Sequence, residues 1–453
     1  MENRFIHYYF IGIGGIGMSA LARYLVHIGK CVAGYDKVRS LLCQQLENEG
    51  MDIHYFDDFE SISDDYKNSE TACVVYTPAV PQDFGEMLRF RESGINTIKR
   101  ARLLGDISRS MTCLAVAGTH GKTTTSAILA HILYKAGVKT TAFLGGILNE
   151  YQTNFLYSGT DVMVVEADEY DRSFMNLDPD IAGITAIDAD HLDIYGSAEE
   201  FKRTFLDFAD LVPDGLLYLN EHVDMDGKKV GVNHGDVYAA NLQIVEGAYR
   251  FDLKVGQQMY SDFEFKTPGR HNLSNALLAV GMAVGYGVDP EKLRDPLSSF
   301  TGVERRFTYR LMTQDLILID DYAHHPTEID AVHDAVREMY PDEKISVIFQ
   351  PHLYSRTRDF MADFALSLSK FDQLALLDIY PAREEPINGV TSAVLARDIE
   401  TYSKTLQPQV IAKEEIFAFA KARTGKVLLM LGAGDIGVEI LKLTDKICAA
   451  REK

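Results

Sequence analysis

Seven residues, Gly118-Thr119-His120-Gly121-Lys122-Thr123-Thr124, follow the apolar run Met111 to Ala117 and lead into TTTSAILAHILYKAG. The apolar positions of that segment recur at helical spacing and stop at Gly137. A strand that ends in glycines and a lysine before a helix aims successive backbone N–H groups at one place. Such a cradle suits phosphate: the N–H groups and helix end are partly positive, Lys122 reaches the outer phosphates, and Thr123 can ligate Mg²⁺. The pattern departs from G-x-x-x-x-G-K-[ST], which wants glycine at 116; Val116 stands there, and the extra glycine is Gly118. A chance G-K-T is the bland alternative, and the strand–loop–helix setting weighs against it. A loop of this kind commits its region to a parallel α/β sheet.

Phosphoryl chemistry also needs carboxylates near the threonine. DVMVVEADEYD supplies Glu166, Asp168, Glu169 and Asp171 at the end of the next convincing strand, and Glu166 at the strand tip is favoured as a metal ligand. Any one of the four can equally be a solvated surface acid. IDADHLDIYGS then places Asp190, His191 and Asp193 after another strand. A lone histidine there is more often a cap, but its acidic neighbours make a metal role for His191 equally plausible.

At the other end of the chain, FIHYYFIGI runs into Gly12-Ile13-Gly14-Gly15-Ile16-Gly17 and then the helical MSALARYLVHIG. This fits G-x-G-x-x-G after a strand, and Asp36 closes the following strand where an acid can accept a ribose hydroxyl. The loop reads as a diphosphate site. Alone, these forty residues suggest NAD, and the chemistry does not choose between one diphosphate and another.

After Gly302, the runs DLILIDDY, KISVIFQ, QLALLDIY and VLLMLGAG read as strands of a further α/β sheet. Polar clusters follow each: Asp320 to Pro326, Gln350 to Arg358, Asp378 to Glu384, and Gly432 to Asp435. Such clusters at the carboxyl ends of parallel strands mark a ligand crevice. The adjacent His324 and His325 point apart in most backbones, which disfavours a zinc site. Arg356 and Arg358 can clamp a carboxylate or phosphate.

The 453 residues therefore divide into three domains, 1–108, 109–302 and 303–453, with short antiparallel hairpins between Leu216 and Phe265 on the middle one. Five scattered cysteines without C-x-x-C suit a reducing compartment rather than disulfides or zinc. Without a signal-like start or an apolar run of ~18 residues, the expectation is a cytoplasmic protein with no membrane insertion. The net charge of −21 disfavours nucleic acid. More than half of that excess lies in 109–302, so anion sites must be local: Lys122, Arg356, helix ends and metal.

The ordered set GIGGIGMSALA, GTHGKTT, VEADE, DADHLDIYG, GRHNLSNA, GVERRF, DDYAHHPTE, FQPHLYSRTRD, DIYPAREEP and LGAGDI, from residue 12 to 436, resembles the Mur ligases of peptidoglycan synthesis. The resemblance implies an N-terminal Rossmann-like domain for a UDP-sugar, a central ATPase with a P-loop-type α/β fold, and a C-terminal Rossmann-like domain closing over an amino acid. It reassigns Gly12, Gly14, Gly15, Ile16, Gly17 and Asp36 to the UDP-sugar, with His352 also on that substrate. ATP would meet Gly118, Thr119, His120, Gly121, Lys122, Thr123, Thr124, Asn272, Asn275 and Arg306, and Mg²⁺ would meet Thr123, Glu166 and His191. His324 and Arg356 resemble residues at the reacting end, His324 being the base for the incoming amine. The expected substrates are UDP-N-acetylmuramate and L-alanine, in a monomer or weak homo-oligomer. Two departures stand out. Leu353 occupies a position where many relatives carry arginine. Phe205 falls near the carbamylated lysine of sister ligases, which fits the alanine-adding branch. The rivals are a ligase for recycled murein peptide and, from another class, an NAD-dependent dehydrogenase.

Overall fold

The computed structural model describes residues 5–81, 83–188, 195, 197–382 and 384–451. The first sheet has five parallel strands: β1 (His7–Ile11), β2 (Cys31–Tyr35), β3 (Asp52–His54), β4 (Ala72–Tyr76) and β5 (Asn96–Lys99). Their order is β3-β2-β1-β4-β5. The helices between them are α1 (Ile16–His27), α2 (Leu41–Asn48), α3 (Gly85–Glu92) and α4 (Arg100–Ser108). Tyr8, Tyr9, Phe10 and Ile11 are all buried, so β1 is covered on both faces, as a central parallel strand must be. Strand order reverses between β1 and β4, and the glycine loop leaves β1 at that switch point.

The second sheet holds β6 (Thr112–Ala117), β7 (Thr140–Leu148), β8 (Thr153–Tyr157), β9 (Val162–Glu166), β10 (Ile181–Ile184), β11 (Leu217–Asn220), β12 (Lys228–Val232), β13 (Val237–Val245), β14 (Ala248–Val255) and β15 (Gln258–Phe265). The order is β15-β14-β13-β12-β11-β10-β6-β9-β7-β8. β6 lies between β10 and β9, parallel to both. The helix after it, α5 (Lys122–Lys135), is buried from Thr123 to Leu133, so its polar first turn faces into the protein. Further helices are α6 (Ala198–Ala209), α7 (Arg270–Tyr286) and α8 (Arg294–Ser298).

Hairpins occur where expected only in part. Two-residue loops at 246–247 and 256–257 join β13, β14 and β15, a length that only antiparallel neighbours allow. Glu246 and Gly247 take the positive φ values, 53° and 78°, that such a turn needs. β11–β12 and β12–β13 instead pair in parallel. Alternation in sequence reports one buried face and is silent on strand direction.

The third sheet comprises β16 (Thr308–Met312), β17 (Ile317–Asp321), β18 (Ile345–Phe349), β19 (Gln373–Leu376), β20 (Gln409–Val410) and β21 (Val427–Leu431), in the order β16-β17-β21-β18-β19-β20. Only β16 runs antiparallel to its neighbour. Helices α9 (Pro326–Met339) and α10 (Tyr354–Asp359) follow β17 and β18. The chain packs as two compact units: 1–243, 250–265 and 274–301 in one; 244–249, 266–273 and 302–453 in the other. Among the described residues, no helix is long and apolar enough to cross a membrane.

Candidate functional site

Val116 belongs to β6 and is fully buried, which explains why the phosphate loop begins only at Gly118. Gly118 (φ 133°) and Gly121 (φ 82°) take conformations that side chains rarely adopt. Each is also tightly covered. A methyl at Gly118 would stand 2.0 Å from Thr185 Oγ1, and one at Gly121 2.6 Å from Asn275 Oδ1. Thr185, at the end of β10, donates to the carbonyl of His120, while Thr119 donates its N–H to Ala186 O at 2.9 Å. Asp188 N in turn donates to Thr119 Oγ1 at 3.1 Å. The loop is thus fixed from the neighbouring strand, and Thr124 is buried behind it. Thr185 carries no motif signal in sequence; only the pairing of β10 with β6 exposes its role.

Lys122 donates to Gly118 O at 2.6 Å and Thr119 O at 3.3 Å, and its Nζ lies 2.8 Å from Glu169 Oε2. Burial works against the ammonium, but Glu169 and Glu166 outweigh it and hold the Lys122 pKa above its ordinary value. Burial pushes Glu169 upward, opposed by Lys122.

Glu166 ends β9, level with Val116 on β6. Thr123 Oγ1 donates to its two carboxylate oxygens at 3.1 and 3.0 Å, and Gly145 N donates to Oε2 at 3.1 Å. A methyl at Gly145 would stand 2.1 Å from that oxygen, so β7 approaches this closely only because it carries glycine there. A hydroxyl and a carboxylate converging beside a phosphate loop are the hard oxygen ligands that Mg²⁺ takes. They fit the ion as one side of its shell. Among the described residues no group of three His, Cys, Asp or Glu could hold a metal, and Asp190, His191 and Asp193 lie outside the described residues.

Beyond Glu166 the backbone is strained: Asp171 and Arg172 both have φ near 50°. Two adjacent basic residues, the last of β5 and the first of α4, hold this stretch, Lys99 to Asp171 at 2.9 Å and Arg100 to Asp168 at 3.1 Å. Phe205 is fully buried on α6 against Phe174 and Phe201.

In the first sheet, Gly12 (φ 85°) turns the chain out of β1, and α1 begins at Ile16 behind Gly15, with no side-chain cap and no acid in its first turn. Asp36 follows β2 as expected, yet its oxygens already accept from Gly14 N (2.8 Å) and Val38 N (3.1 Å). Here it shapes the loop. A methyl at Gly17 would meet the Arg100 guanidinium at 2.5 Å, so this glycine makes room for an arginine. Asn154 on β8, fully buried, donates to Ile16 O and Ser19 Oγ and accepts from Arg23.

In the second unit, Asn272 is buried, with its amide donating to Pro268 O at 2.6 Å. Both arginines of GVERRF lie over the Tyr322 ring, 5.1 and 5.0 Å from its centre, and Arg305 also pairs with Asp320 at 3.3 Å and donates to Gly432 O. Burial lifts Asp321 to about 6 against the pull of Arg306 and the N–H groups of Phe307 and Ala323.

The two adjacent histidines diverge as their spacing predicts. His325 is buried and caps α9 in a reciprocal box with Glu328, with Pro326 in the first turn. His324 turns to His352, ring centres 5.9 Å apart, and its Nδ1 stands 3.0 Å from Tyr322 O and 3.2 Å from Glu328 Oε2. His352 stacks on Tyr380 at 5.6 Å. Burial, with His324 and Arg356 nearby, lowers its pKa to about 4. Leu353 has φ 69°, donates its N–H to Tyr380 O and precedes α10, which carries Arg356.

A glycine loop on a five-stranded parallel sheet, a phosphate loop on a second sheet and a third α/β sheet together define a three-domain nucleotide-binding architecture. The chain belongs to the Mur ligase family. Models described as Mur ligase family, catalytic domain; Mur ligase middle domain; and Mur ligase, glutamate ligase domain match residues 7–112, 116–283 and 305–434. The UDP-N-acetylmuramate–L-alanine ligase of Christiangramia forsetii is 50% identical over 97% of this chain and 97% of its own. That of Flavobacterium psychrophilum is 49% identical, covering 98% and 99%. The crystal structure of the UDP-N-acetylmuramate–alanine ligase of Thermotoga maritima matches at TM-score 0.82 and 26% identity, covering 98% of this chain and 99% of that one. A murein peptide ligase from Psychrobacter arcticus shares the fold at TM-score 0.68 and 22% identity, covering 97% and 98%.

Proposed function

We propose that this protein joins L-alanine to the lactyl carboxylate of UDP-N-acetylmuramate with conversion of ATP to ADP and phosphate. The convergence of Lys122, Thr123 and Glu166 on one phosphate loop carries the reading. The near-full-length likeness to alanine ligases at half identity selects the amino acid and weighs against the murein-peptide and dehydrogenase alternatives. The division at 1–108, 109–302 and 303–453 assigns one domain each to UDP-sugar, ATP and amino acid.

The lactyl carboxylate oxygen attacks the γ-phosphorus of ATP, ADP leaves, and an acyl phosphate forms. Lys122 and the loop N–H groups from Gly118 to Thr124 hold the phosphates, with His120, Asn275, Asn272 and Arg306 on the nucleotide. Thr123 and Glu166, with His191, would hold Mg²⁺, which would supply Lewis-acid neutralisation of the phosphate oxygens. The alanine amine then attacks the acyl carbon, and the tetrahedral intermediate expels phosphate. With its proton on Nδ1, facing Tyr322 O and Glu328, His324 presents Nε2 as an acceptor for the amine proton. Arg356 and His352 orient the carboxyl end of the sugar substrate.

The test is phosphate release with ATP, UDP-N-acetylmuramate, L-alanine and Mg²⁺ omitted in turn. All four are required. Turnover without the amino acid, or faster turnover with a tripeptide, overturns the reading. Glu166→Gln should lower kcat by about 10²-fold or more, the scale for losing one electrostatic element of a transition state.

A further inference from the structure

We propose that Arg100 binds the diphosphate of the UDP-sugar at the start of α1, held in place by Asp168 of the stretch that carries Glu166. The inference rests on the reading of the glycine loop as the UDP-sugar site.

Two observations carry it. The first turn of α1 has N–H groups without intrahelical acceptors, no side-chain cap and no acid. It is a bare positive end. Against it packs a second positive group: Arg100 Nη1 would be 2.5 Å from a methyl on Gly17. Since Cβ and N are both bonded to Cα and so stand about 2.5 Å apart, the guanidinium lies within about 5 Å of the Gly17 N, inside the reach of a phosphate bound there. A cation placed at a helix N-terminus is unfavourable unless an anion joins them.

Asp168 supplies only part of that anion. Its Oδ2 accepts from Arg100 Nη2 at 3.1 Å while Oδ1 accepts from Tyr170 N, and its side chain is 41% exposed. The guanidinium keeps Nη1 on the α1 side and can bridge carboxylate and diphosphate at once, as a planar fork does and an ammonium does not. Lys99, paired with Asp171, fixes the same two segments one residue earlier. The third glycine of the loop thus accommodates the arginine, a purpose the dinucleotide pattern does not predict. Arg100 also ties the sugar diphosphate to the acidic stretch two residues beyond Glu166, so the two phosphate-bearing substrates are set against each other through one side chain.

The experiment measures UDP affinity by calorimetry, together with steady-state kinetics, for wild type, Arg100→Ala, Arg100→Lys, Gly17→Ala and the double variant Gly17→Ala/Arg100→Ala, each confirmed folded by circular dichroism. Arg100→Ala should weaken UDP binding and raise the KM for UDP-N-acetylmuramate by about tenfold or more, the scale of a charged hydrogen bond to phosphate, with the KM for ATP changed less than about twofold. Arg100→Lys should recover part of the loss. Gly17→Ala should match Arg100→Ala, and the double variant should be no worse than either alone, because both remove the same contact. Unchanged UDP affinity in folded Arg100→Ala overturns the proposal, as does additivity of the two changes. Absence of wild-type turnover with UDP-N-acetylmuramate would instead overturn the functional reading, and is seen before any variant is made.

Discussion

Lys122, the lysine of the phosphate loop, is held by the buried carboxylate of Glu169, Nζ to Oε2 at 2.8 Å, with side-chain exposures of 13% and 4%. The loop carbonyls of Gly118 and Thr119 complete the grip. Without nucleotide, the protein therefore provides Lys122 with an internal anion where a phosphate would otherwise balance it. Removing one partner of a buried pair strands the other, at a cost of about 3–5 kcal/mol.

Glu169→Gln should accordingly lower stability in the absence of nucleotide by about 3 kcal/mol, read by urea denaturation. Adding a nonhydrolysable ATP analogue with Mg²⁺ supplies the missing anion. The rise in Tm on adding it should be larger in Glu169→Gln than in wild type. Equal rises would show that Glu169 and the phosphates do not share the lysine.

Asn154 joins the glycine-loop helix to the second sheet from a fully buried position. Its amide donates to Ile16 O and to Ser19 Oγ, 3.0 Å away, and accepts from Arg23. Asn154→Ala leaves those groups unsatisfied, so unfolding free energy should fall by about 2–3 kcal/mol. The KM for UDP-N-acetylmuramate should rise with it, because α1 loses its brace. A stability loss with unchanged KM would confine Asn154 to packing.

The sheets and the phosphate loop were legible from periodicity and glycine placement, because strand–loop–helix units write themselves in short contiguous segments. The β7–β8 hairpin was not. Gly145 belongs to no motif in the sequence, yet glycine is there to let Glu166 come close. Gly145 and Asn154, which tie this hairpin to Glu166 and to α1, therefore escaped notice. Thr185 and Arg100 act across strands far apart in sequence and carry no local signature. At Asp36 the motif predicts an acid facing a ribose, and the structure adds a contact that sequence does not show: its two oxygens accept from the Gly14 and Val38 N–H groups. Of the two arginines in GVERRF, Arg305 is tied to Asp320 and Gly432, long-range ties that its local sequence does not announce.

The pH dependence of stability should show an acid limb from the second unit. Burial lowers both His271 and His352 from 6.5 to about 4. Between those values the two histidines bind more protons in the unfolded chain than in the folded one, so they lower stability as pH drops from 6.5 towards 4; Asp321, raised from 3.8 to about 6, opposes part of that fall, and two groups against one leave a net acid limb. His352→Asn should flatten part of this limb, measured as Tm against pH. An unchanged slope would mean that His352 titrates normally in the folded protein.

Leu353 holds a backbone conformation, φ 69° and ψ 137°, that costs a leucine on the order of 1–3 kcal/mol. The strain turns the chain between His352 and α10, so that the Leu353 N–H meets Tyr380 O while Arg356 stands on the helix beyond. A hydrocarbon side chain here gives a substrate carboxylate nothing to bind. Leu353→Arg keeps the same backbone burden and adds a guanidinium beside His352. It should lower the KM for UDP-N-acetylmuramate by about threefold to tenfold, the scale of one exposed-to-partly-buried charged contact, without shifting Tm by more than a degree or two. If KM stays constant, the carboxylate lies beyond reach of position 353, and the arginines of α10, Arg356 and Arg358, are left to serve it.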